Sequence, residues 1–233
     1  MLRSVTSVCA FAAAIALVPQ AASANLTIPI NFTVSNSVQA FTADDLGSFD
    51  LVGIKVEPRG TGYEAKAGTP GETNGIINPA AVGFPITKIV IGSKLNIVSG
   101  SAVGSALYFA RSDDDTGESL GLTLANFTIN YDLKKVLADV TAKGGKVSKQ
   151  QAIYTFVAVT PLALKYRFPV SITGHEVLGS LFLTPETKAS FKNSLHLPDF
   201  ADGALEFDFG TLTQDISLKL RSRPISATPY VAN

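Results

Sequence analysis

The chain has 233 residues, 46% of them hydrophobic and 16% charged, with 19 basic and 19 acidic side chains. So even a balance supplies no basic face for nucleic acid and no polybasic surface for anionic lipid. The single cysteine, Cys9, and the single methionine, Met1, both lie in the first ten residues, which leaves the rest without disulfides or thiolate ligands.

Residues 1–24 read as a signal peptide. Arg3 supplies the positive start, Val5 to Val18 an apolar run, Pro19 a break, and Ala22-Ser23-Ala24 an A-x-A cleavage site. The expectation is an exported bacterial protein, periplasmic or extracellular, cut before Asn25. The run is short for a membrane span, and no later stretch reaches about 18 uninterrupted apolar residues. No transmembrane segment is expected after cleavage. The absence of tryptophan leaves tyrosine as the stacking platform for a sugar.

Leu26, Ile28, Ile30, Phe32 and Val34 alternate with polar residues and predict a half-buried strand, with Pro29 marking a sheet edge. Val52, Ile54 and Val56 predict the next strand. From Glu57 to Phe84 glycine and proline recur, and the segment reads as a surface excursion with one strand near Tyr63. Long ordered loops often carry function, so the excursion is a candidate site. Ile89, Ile91, Leu95 and Ile97 share one face of a strand broken near Gly92–Ser93, and Ala106 to Ala110 forms another.

The stretch 120–141 reads as a hairpin. Leu120, Leu122 and Leu124 occupy one parity, and Phe127, Ile129 and Tyr131 the other. That switch needs one extra residue near Ala125–Asn126, a bulge. Val136, Ala138 and Val140 continue on the return strand. Ala152 to Val159 is apolar on both faces, as in a central strand, and Leu162 to Ile172 alternates strictly with Pro169 pointing outward. One short helix is predicted over 184–195, with Thr184 as cap, Pro185 at its first position, and Phe191 and Leu195 on one face. Leu205, Phe207 and Phe209 predict a strand, and Ile216, Leu218 and Leu220 another.

The fold class is therefore all-β: an antiparallel β-sandwich over residues 25–223, with a closed β-barrel as the alternative and a flexible tail over 224–233. Few charges and many strands also make self-assembly through unpaired edges an expectation to test.

Chemistry is sparse. His175 lacks a second histidine four residues on, where Gly179 stands, so no zinc-protease helix is present; His196 follows the helix and suits its C-terminus. Gly100 to Gly104 has the wrong spacing for a serine nucleophile elbow. Asp113, Asp114, Asp115 and Glu118 offer hard oxygen ligands for calcium, or else a solvated hairpin tip. Asn25, Asn31 and Asn126 begin N-x-T triplets, which count as glycosylation acceptors only in a eukaryotic source. Tyr63, in the excursion, is the tyrosine most exposed to a ligand.

From Ile97 onward the chain resembles the exported haem-uptake domains called HtaA. The resemblance rests on Leu120-Gly121-Leu122-Thr123-Leu124, on Ala138-Asp139-Val140, and on Leu183-Thr184-Pro185 leading through a helix to Phe200–Gly203. It covers about half of the chain after residue 24, and the family's N-terminal tryptophan signature is absent. The resemblance implies a sandwich, export, and haem held by a tyrosine assisted by a histidine. Tyr63 or Tyr108 with His175 would fill those roles. The expected function is a non-enzymatic binding or surface-structural module, with haem or another hydrophobic ligand as the alternative and a hydrolase as the second alternative.

Overall fold

The computed structural model describes residues 25–92, 96–167 and 171–232; the predicted signal peptide lies outside them. Among the described residues, twelve strands form one sheet with antiparallel neighbours throughout. In chain order they are β1 (Leu26–Pro29), β2 (Asn36–Ala40), β3 (Lys55–Gly60), β4 (Tyr63–Lys66), β5 (Ala81–Pro85), β6 (Lys88–Ile91), β7 (Ile97–Ser112), β8 (Ser119–Asn130), β9 (Lys135–Ala142), β10 (Ser148–Arg167), β11 (Ser171–Leu183) and β12 (Thr211–Leu218). The spatial order is β1-β6-β7-β8-β9-β10-β11-β12-β2-β5-β4, with β3 also on β7. All-β architecture is as expected. The walls that face each other belong to one sheet curled into a half-barrel.

The curl comes from bulges. The β7–β8 register slips between Ala102 and Ala106, and the β8–β9 register between Ala125 and Thr128. Asn126 sits there at φ 55°, the bulge that the parity switch in 120–141 predicted. An extra residue on one strand bends it and sharpens the local twist, which turns a flat sheet into a wall with two sides.

Two helices close one end. α2 (Pro185–Leu195) is the predicted helix, capped by Thr184, whose hydroxyl accepts from the Thr187 amide. α1 (Ala43–Leu51) was not predicted. Its signal was local: Thr42 and Asp45 form a reciprocal capping box, which offsets the weak propensity of Asp-Leu-Gly-Ser. Phe49, Phe109, Phe191 and Phe209 meet under these helices, with Phe109 and Phe191 at 4.8 Å and Phe49 and Phe109 at 5.9 Å between ring centres. No helix among the described residues is long and apolar enough to cross a membrane.

Several sequence expectations are corrected. The strand read over 26–34 is β1 followed by a 3-10 turn, Ile30–Phe32. Leu26 and Phe32 are exposed, while Thr33, Ser35, Ser37 and Gln39 are buried. Pro29 does mark a sheet edge, since β1 pairs with β6 alone and ends the order. The strand read at 52–56 begins only at Lys55. The 57–84 excursion holds β3, β4 and β5, and its loop is tied down by two side chains. Asp50 accepts from the amides of Thr73 (2.7 Å), Asn74 (3.0 Å) and Ile76 (2.8 Å). Asn78 bridges the Val56 amide and the Ile54 carbonyl.

Leu162 to Ile172 is not one strand. It is the tip of the β10–β11 hairpin, where Tyr166 pairs with Ile172; Phe168 to Val170 lie outside the described residues. Beyond Phe156, β10 pairs only with β11, and Val157 and Val159 are exposed. Leu205 to Phe209 is not a strand either: Asp199–Glu206 is a 3-10 helix.

Candidate functional site

The residues singled out from the sequence do not converge. Tyr63 lies on β4 with its ring over Gly83, where an added Cβ would stand 2.2 Å from Cζ. Tyr108 lies on β7 with its hydroxyl over Gly121, and the Arg59 guanidinium covers its ring at 3.5 Å. Both rings cover a glycine that has no side chain of its own, which is a packing role. His175 is four strands from β7 in the sheet order, about 19 Å at ~4.8 Å per strand. Its Nδ1 meets Asp215 Oδ1 at 2.8 Å on an exposed surface.

The acidic turn is partnered from within the protein. Asp113 Oδ1 accepts from the Thr116 amide (2.9 Å), the Thr116 hydroxyl (2.9 Å) and the Asp115 amide (3.1 Å), and its Oδ2 meets His196 Nδ1 at 3.0 Å. These donors hold the Asp113 carboxyl well below the usual carboxylate range. Asp114 pairs with the buried Arg111 guanidinium, which also donates to the carbonyls of Val52, Leu195 and His196. Asp115 is exposed, and Glu118 is tied through its backbone to Asp113 and Thr116. No group of three or more His, Cys, Asp or Glu among the described residues is arranged to hold a metal ion.

The curled sheet instead builds a site in its interior. A slot with about 30 Å³ open to the centre of a water molecule runs between the two walls. Phe84, Phe127, Ile129, Val136 and Leu212 line it, as does Gly100. That volume holds a water or two, and its walls are mostly apolar. Gly100 is paired with Ile89 on one side and Ile129 on the other, both buried, so its α-carbon faces the interior. Nothing lies within 4 Å of where a Cβ would stand. The inner wall has a gap one side chain wide.

One flank of the slot is polar. In strand register, Glu176 faces Gln214, and Gln214 faces Ser37, giving an inward row across β11, β12 and β2. Gln214 Nε2 donates to Ser37 Oγ at 2.6 Å, and Gln39 Nε2 to Tyr154 Oη at 3.3 Å. Tyr131 Oη donates to Glu176 Oε2 at 2.6 Å from the opposite wall. Burial pushes the Glu176 carboxyl up, opposed by the Tyr131 bond, and burial beside that carboxyl pushes the Tyr131 phenol up.

Ile86 lines the slot and also belongs to a second apolar cluster with Ile89 and Ile216. Ile28, Ile91, Ile97, Leu162 and Leu218 lie only half-buried against that cluster. The helix end of the half-barrel is filled by aromatic rings, whereas this end leaves aliphatic side chains partly open to solvent.

Sequence reasoning missed this row because it assigned the apolar parity of residues 26–34 to the core. The available signal was the opposite parity: Thr33, Ser35, Ser37 and Gln39 recur every second residue, with the period of a strand.

No family model matches this chain, and no curated protein matches it. Among solved structures, it is similar to the crystal structure of the C-terminal domain of HtaA from Corynebacterium glutamicum. The identity is 13%, over 80% of this chain and 98% of that chain, with a TM-score of 0.47. This is a distant structural resemblance.

Proposed function

We propose that the protein is an exported, non-enzymatic binding module that takes the slender apolar end of a ligand into the slot inside its curled sheet, past Ile86 and the half-buried isoleucines, with the rest of the ligand on that aliphatic rim. The gap at Gly100 carries this reading. It is unfilled by protein, flanked by Ile89 and Ile129, and it opens a slot whose polar groups lie along one flank. Mostly apolar concave sites with a few convergent polar groups, often at the mouths of barrels, are where small ligands bind. The signal-like segment 1–24 supports export.

Calorimetric titration of the chain lacking residues 1–24 with a series of straight-chain saturated alcohols tests the reading, with Gly100→Val as the decisive variant. Valine fills the gap, so the variant gains about 1–2 kcal/mol in unfolding free energy from removed glycine entropy and buried methyl groups. It should lose alcohol binding at the same time. Binding that persists in a stabilised Gly100→Val chain sinks the proposal. Haemin belongs in the same series. A Soret band that survives Gly100→Val and disappears in Tyr63→Phe or Tyr108→Phe would move the site to the outer face.

A further inference from the structure

Outside the slot, the bulge seam holds a segment of the chain's own C-terminus. The tail was expected to be flexible, yet Tyr230 is gripped by its backbone. Asn126 Oδ1 accepts from the Tyr230 amide at 2.8 Å, and Asn126 Nδ2 donates to the Tyr230 carbonyl at 3.0 Å. A side-chain amide that reads the N–H and C=O of one residue does what a neighbouring strand does, and the ring of that residue adds packing against Gly60. The other two bonds of the same amide fix its orientation: Oδ1 accepts from the Gly104 amide at 3.0 Å, and Nδ2 donates to Asp139 Oδ2 at 2.9 Å. Asn126 is 5% exposed, so the triplet it begins is no glycosylation acceptor.

The seam also admits the side chain and backbone of the segment. An added Cβ on Gly60 would stand 2.9 Å from Tyr230 Cδ2, and one on Gly104 would stand 2.9 Å from the Thr228 carbonyl oxygen. Beside the tail, a groove of about 600 Å³, on the same water-sized measure, continues past Lys88, Val103, Thr128 and Lys149.

We propose that this seam of Asn126, Gly60 and Gly104, at the border of the groove, is a binding site for an extended peptide, filled in cis by residues 226–232 and able to take the same segment from a second copy of the chain. None of the contacts depends on chain connectivity. Upstream the tail is anchored at Arg221, whose backbone and side chain bond Asn31, Ile30 and Thr33. From Arg221 to Tyr230 the chain spans at most about 30 Å extended. The cis segment has an effective concentration on the order of millimolar, so exchange between copies needs crowding or a weakened cis contact.

Complementary variants separate the two partners. Asn126→Gly removes the reading amide while keeping the positive φ, and Tyr230→Ala weakens the tail; cooperative thermal unfolding checks that each folds. Each variant alone should be monomeric by light scattering after size exclusion. Their mixture should form a one-to-one dimer, the intact tail of the first seated in the intact groove of the second. A fluorescent peptide of residues 225–232 should bind Tyr230→Ala saturably and bind neither the wild-type chain nor Asn126→Gly. A mixture that stays monomeric while the peptide binds overturns the second copy as partner. A peptide that binds none of the three, or all alike, overturns the groove as a peptide site.

Discussion

Asp45 is 2% exposed, and its Oδ1 has no hydrogen-bond partner within the protein. Burial raises its pKa to about 6 from 3.8, against the opposing bonds from Thr42. Because the folded pKa lies above the unfolded one, its contribution is fully present below about pH 3.8 and is lost as pH rises through about 6. Asp45→Asn should flatten that part of the pH dependence by up to about 3 kcal/mol, read from urea unfolding between pH 4 and pH 7. Arg111 and Asp114 make a second test. Arg111 is 5% exposed and satisfies three backbone carbonyls, two of them buried, so Arg111→Met should cost about 3–5 kcal/mol. Asp114 is 80% exposed, and Asp114→Ala should cost under about 1 kcal/mol. Equal losses for the two in chemical denaturation would contradict the view that the guanidinium works through the carbonyls.

At the scale of elements, legibility followed how local the cause was. α2 was readable because Thr184, Pro185, Phe191 and Leu195 lie within one helix and need no distant partner to signal it. The Asn126 bulge was readable because a parity switch is a property of a single strand. The segment 26–34 was read as one half-buried strand and β2 went unread, because the apolar parity of 26–34 lies largely outside while the polar parity of 33–39 turns inward. Leu26 and Phe32 are exposed where β1 and the 3-10 turn run along the edge. The loop after β4 read only as a surface excursion because its anchors come from Asp50 on α1, more than twenty residues upstream. Asp50→Ala leaves three backbone amides without their acceptor at once and should cost about 2–3 kcal/mol, with new proteolytic cuts confined to 67–80. Cuts elsewhere, or none, would show that the loop is held by other contacts.

For the molecule as a whole, two sets of carboxyls act in opposite directions. Burial raises Asp45 and Glu176, while backbone amides lower Asp50 and amides with His196 lower Asp113. The lowered pair contributes above the unfolded carboxylate pKa and is lost as pH falls through its folded values; the raised pair is lost as pH climbs. Stability should therefore peak between about pH 4 and pH 5 in a denaturation series, and a peak above pH 7 would contradict the burial of Asp45 and Glu176. Residue order by itself determined the strand-rich class, the hairpin with its bulge and the capped helix, because each follows from side-chain period within a short window. Only tertiary structure decided that the facing walls are one sheet, that a polar row lies inside it, and where Gly100 and Asn126 sit in its walls. Those facts depend on which strands meet across the curl, and no local period encodes a partner a hundred residues away.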